Sequence, residues 1–121
     1  MKTYRDLFVW QKSMELVTEI YRLSKKFPKD ETYGITAQIR RCAVSIPSNI
    51  AEGYGRSSTQ DYIRFLRIAS GSLYELQTLL EISLNIGYLN KNNFEKIYQA
   101  TKEIERMLSS LTRKLDGKKS L

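Results

Sequence analysis

Catalytic side chains and metal ligands are most often histidines, and this chain of 121 residues has none. Ser-His-Asp triads, Cys-His pairs and histidine-held zinc are therefore out of reach. Cys42 is the only cysteine, so no intramolecular disulfide can form. It falls on an apolar helical stripe and reads as a small core thiol rather than a nucleophile. An enzyme would have to work with carboxylates, lysine or tyrosine alone. Glu75 is the carboxylate to consider, but no base or metal partner stands near it in sequence. No catalytic residue, metal site or cofactor is expected, and the chain is not read as an enzyme.

Two groups of polar residues could still form a site. Ser45, Ser48, Asn49 and Glu52 surround Pro47 and precede Gly53. Ser72 and Glu75 lie near Gly71. One reading is a polar binding site. The favoured reading is structural: buried polar groups must be paired, and a helical proline frees a carbonyl that needs a partner. Glu52 near a helix C-terminus meets an unfavourable dipole and should have a cation beside it, Arg56 or an arginine of the next helix. Gly71 weakens a helix, and its expected compensation is close approach of another helix.

The elements that would carry these residues are helices. Only two prolines and six glycines interrupt long stretches of 3-4 apolar spacing. The first covers about residues 5 to 26, with Leu7, Trp10, Met14, Val17 and Tyr21 on one stripe. The second covers about 32 to 54, with Asp30 or Thr32 as cap, a kink at Pro47, and Gly53 and Gly55 as its end. The third runs from about 58 to 86, capped by Ser58 and stopped by Gly87. The fourth runs from about 91 to 115 behind Asn90, with residues 116–121 as a frayed tail. Short loops between long helices make successive helices antiparallel neighbours. The expected fold is all-α: one up-down-up-down four-helix bundle over residues 1–121, with helix 2 kinked at its proline.

Formal net charge is +7, which points to polyanionic partners. Folding the bundle in this topology gathers residues 1–12, 50–67 and 106–121 at one end. That end holds eleven Lys and Arg against four Asp and Glu. It includes Arg5, Arg56, Arg64, Arg67, Arg113, Lys114, Lys118 and Lys119. The other end is also basic and the waist acidic. These cations are either a phosphate-binding surface or ordinary solvated helix ends. Apolar residues on more than one face of the first helix, with eight tyrosines in all, suggest a second buried surface and hence a homo-oligomer. The chain shows neither an apolar run near the roughly 20 residues of a membrane helix nor a signal-peptide pattern at its start. A cytoplasmic location with no membrane partner is expected.

Three blocks together resemble a known family. The most specific is Ser45-Ile46-Pro47-Ser48-Asn49-Ile50-Ala51-Glu52-Gly53, within the block 39–53. The others are Leu7-Phe8-Val9-Trp10-Gln11-Lys12 and the block 65–76, which contains Ala69-Ser70-Gly71-Ser72. They resemble the bacterial proteins encoded in intervening sequences of 23S rRNA genes, also called ribosomal protein S23-like. The resemblance implies a four-helix bundle that assembles as a ring-like homopentamer. It also implies a distant likeness to accessory proteins of diversity-generating retroelements, basic pentamers that engage RNA and a reverse transcriptase. The resulting expectation is a non-enzymatic, homo-oligomeric basic bundle that binds RNA or another polyanion as an accessory factor. The alternative is a structural or protein-partner scaffold with no nucleic-acid role.

Overall fold

The 3-4 apolar spacing becomes helix in all four segments. A computed structural model describes the backbone of residues 2–120 and the side chains of residues 2–117. Helix α1 is Phe8–Ser24, α2 is Ile35–Tyr54, α3 is Thr59–Asn85 and α4 is Lys91–Ser120. Each helix packs against its neighbour in sequence, and α1 closes the bundle against α4. The chain is an antiparallel up-down-up-down four-helix bundle. Among the described residues, no helix is long and apolar enough to cross a membrane.

Caps explain three of the boundaries. Ser58 Oγ accepts from the Asp61 amide at 3.1 Å and starts α3. Asn90 Oδ1 accepts from the Asn93 amide at 2.7 Å and starts α4. Gly87 adopts a φ of 85°, and the Tyr88 amide then reaches back to the Ser83 carbonyl at 2.8 Å. This closes α3 with a left-handed residue that glycine accepts without steric cost.

Three boundaries differ from expectation. Neither Asp30 nor Thr32 caps α2: Lys29–Glu31 forms a 3-10 turn, and Gly34 stands at the N-cap without a side-chain bond. The first helix begins only at Phe8, because a separate 3-10 turn at Tyr4–Asp6 precedes it. At the other terminus, α4 continues through Gly117 to Ser120. One glycine costs only about 1 kcal/mol of helix propensity, too little to end a long helix by itself.

The core is built from Ile46, Ile50, Leu66, Leu73, Leu76, Leu80 and Leu108, all without exposed surface. Burying a Leu or Ile side chain contributes roughly 1.5–3 kcal/mol, so this stripe is the main source of stability. Thr101, the one polar member of the α4 stripe, is fully buried. Its hydroxyl donates to the Tyr98 carbonyl at 2.6 Å and accepts from Gln77 Nε2 at 3.2 Å. Cys42 is a buried free thiol donating to the Ile39 carbonyl at 3.4 Å. Burial, with the Glu75 charge as the second cause, pushes that thiol up to about 12.

Gly53 does not end α2; the helix passes through it to Tyr54. It is buried, and a Cβ there would stand 2.7 Å from Phe65 Cβ. Its role is to let α2 approach α3. Gly71 reverses expectation in the other direction. It is exposed, and nothing lies within 4 Å of a Cβ placed on it. No helix of the same chain approaches it.

Candidate functional site

The polar residues around Pro47 form a link between helices. The Ser45 and Ser72 hydroxyls lie 2.8 Å apart, joining α2 to α3. Asn49 Nδ2 donates to the Ser45 carbonyl at 2.8 Å and to Ser45 Oγ at 3.0 Å. Pro47 is buried within an otherwise continuous α2 and offers no N–H to the Ala43 carbonyl. Ser48 is exposed and lies away from this link, beside a shallow groove against α1. Glu75 is exposed and accepts from Gln38 Nε2 at 3.4 Å. Glu52 has the cation its position asks for, with Arg56 Nη2 3.3 Å from its Oε1. Among the described residues no three His, Cys, Asp or Glu side chains are grouped to hold a metal ion.

The basic end divides into two kinds of cation. Arg56 and Arg64 are engaged locally. Both lie near Asp61, at 3.8 Å and 2.9 Å respectively. Both guanidinium carbons also sit over the Phe65 ring, at 4.6 Å and 4.5 Å from its centroid. With Glu52 and Asp61 present, this cluster is close to neutral. Its effect is to pin the α2–α3 turn. Such exposed pairs contribute about 0–1 kcal/mol each.

Arg5, Arg67, Arg113 and Lys114 are exposed and have no carboxylate partner among the described residues. Arg5 is held in place by its turn. Thr3 Oγ accepts from the Arg5 amide at 3.1 Å, and Asp6 Oδ2 accepts from the Lys2 and Thr3 amides. Those two backbone donors hold the Asp6 carboxyl below its ordinary value. The Arg5 guanidinium lies 4.8 Å from the centroid of the Tyr4 ring. Arg67 lines a hollow with the N-cap Ser58 and with Gln60, Asp61, Arg64 and Ile68 of α3. Arg113 Nη1 donates to Ser109 Oγ at 3.2 Å on α4. The Lys118 and Lys119 side chains lie outside the described residues.

Two residues of this end were not singled out from sequence. Phe8 is 73% exposed at the start of α1. It shares a hollow with Arg106, Lys114, Met107, Leu111 and Glu103 of α4, and Glu103 is paired with Lys12 at 3.7 Å. Arg106 is exposed and has no carboxylate partner among the described residues. An exposed ring flanked by cations offers a stacking surface and phosphate contacts together. The sequence signal for it was the extra apolar face of the first helix, which reads equally well as an oligomer contact.

The family model for the 23S rRNA-intervening sequence protein matches residues 5–110. The chain belongs to that family. Among solved structures it is similar to a protein of unknown function from the S23 ribosomal protein family of Bacteroides thetaiotaomicron VPI-5482. The two share 30% sequence identity and superpose with a TM-score of 0.81, over 86% of this chain and 97% of the other. No curated protein matches the chain. The expected membership and bundle are thus found. The family is one of unknown function, with no catalytic activity established.

Proposed function

We propose that this protein is a non-enzymatic, self-associating basic bundle that binds single-stranded RNA at the end formed by its two termini and the α2–α3 turn. The observation that carries this reading is the company Phe8 keeps. It is an exposed aromatic ring beside Arg106 and Lys114, with Arg5, Arg67 and Arg113 at the same end of the bundle. Phosphates would meet the unpaired cations, and a base would stack on the ring. Self-association into a ring would repeat weak contacts and raise avidity.

The test is fluorescence anisotropy of a labelled single-stranded RNA at low salt. Phe8→Ala should weaken binding about 5- to 100-fold, the usual worth of one stacked base. It should leave heparin binding nearly unchanged, since heparin has no bases to stack. Equal weakening for both ligands would remove the stacking role of Phe8. A second reading, a scaffold for protein partners without RNA, draws support from the ion pairing of Arg56 and Arg64 with Glu52 and Asp61. It predicts no RNA binding even at low salt.

A further inference from the structure

The exposed large apolar residues fall mainly on two surfaces other than the hollow that holds Phe8. One is the outer face of α3, where Ile68, Ile82 and Ile86 are 41–52% exposed. With Gly71 and Glu75, they follow the 3-4 spacing of a single helical face. The other is a shallow groove between α1 and α2, lined by Trp10, Met14, Val17, Val44, Pro47 and Ala51. Within one chain neither surface is covered. Gly71 costs helix propensity with no neighbour in its own chain to justify it.

Charge complements shape. Arg41 is exposed on α2, and Glu75 is exposed on α3; neither has an ion-pair partner among the described residues. The Ser45–Ser72 contact sets the level of the two antiparallel helices. One turn before Ser45 is Arg41, and one turn after Ser72 is Glu75, so both lie in the same layer. Rotation about an axis parallel to the bundle keeps every layer at its own height. Neighbouring copies would therefore bring Arg41 of one level with Glu75 of the next.

We infer that the α3 face around Gly71 of one copy seats in the α1–α2 groove of a second copy, with Glu75 against Arg41. This rests on the self-association proposed above and names the two surfaces that meet. Because they differ, the contact is head-to-tail, and repetition closes a ring or extends a filament. Arg106, Lys114 and Phe8 line neither surface, while Arg67 borders the α3 face beside Ile68 and Arg5 borders the groove over the Tyr4 ring.

The experiment is light scattering of the full chain across a micromolar dilution series, with Trp10 emission as a second readout. The wild type should give a multiple of 14.1 kDa. Gly71→Leu should give the single-chain mass with undiminished helicity, because the position is exposed and a Cβ there meets nothing within 4 Å. Arg41→Glu and Glu75→Arg should each weaken assembly about tenfold, and the double variant should recover it. On dissociation, Trp10 emission should shift to the red. A wild type that assembles while Gly71→Leu and both charge variants assemble equally well would overturn this contact but leave self-association standing. A wild type that remains at 14.1 kDa would overturn both.

Discussion

A Cβ on Gly53 would meet Phe65 Cβ at 2.7 Å and the Tyr62 carbonyl at 3.2 Å. The second neighbour is backbone and cannot step aside. Gly53→Ala should therefore destabilise the bundle by about 1–3 kcal/mol, read as a lower denaturant midpoint at unchanged slope. A midpoint equal to the wild type would show that α2 and α3 can part without cost. Cys42 gives a second residue-scale prediction. Its thiol is pushed up to about 12 by burial, against 9.0 for an exposed thiol. The folded state thus holds its proton where the unfolded state releases it. Stability should be unaffected by this group below pH 9 and fall as pH rises from 9 toward 12. Thiol-reactive dye should label the native protein slowly at pH 8 and the unfolded protein at once. Rapid native labelling would place Cys42 at the surface. Its burial was legible from the apolar stripe alone. The neutralisation of Arg56 and Arg64 was not, because it depends on where the α2–α3 turn brings Asp61 and Phe65.

At the scale of the element, the α2–α3 seam is apolar and carries the short Ser45–Ser72 contact at its middle, with the longer Gln38–Glu75 hydrogen bond at its edge. A double-mutant cycle with Ser45→Ala and Ser72→Ala should give a coupling of about 0.5–1.5 kcal/mol in favour of the pair. A coupling of zero would mean each hydroxyl is served by another group. Pro47 should also bend α2, since the Ala43 carbonyl receives no N–H from it. Collinear axes for the helical stretches before and after residue 47 in a crystal structure would contradict that. Helix starts at Ser58 and Asn90 and the stop at Gly87 could be read in advance, because each uses one residue type with one geometric job. The start of α2 could not. Pro28 leads Lys29–Glu31 into a 3-10 turn, and the backbone of that turn takes up residues that otherwise look like caps.

At the scale of the molecule, helix order and antiparallel packing follow from periodicity and short loops, and these place both termini beside the α2–α3 turn. That placement concentrates positive charge, and the ion pairs then decide which cations remain available. Arg5, Arg67, Arg113 and Lys114 are left to face solvent, and Lys114 shares its hollow with Phe8 and Arg106. Phe8 escaped notice because a stacking ring and a packing ring have the same sequence signature; only its exposure separates them. The claim that this end binds RNA is tested most directly by dissociation constants for a single-stranded RNA over a salt series. Each phosphate neutralised contributes about 0.7 to the slope of log Kd against log salt. If Arg5, Arg67, Arg106, Arg113 and Lys114 of one chain all engage, the slope should be roughly 3.5, and Arg113→Ala with Lys114→Ala should lower it by about 1.4. Negligible affinity at low salt, or an affinity that does not change with salt, would contradict the account.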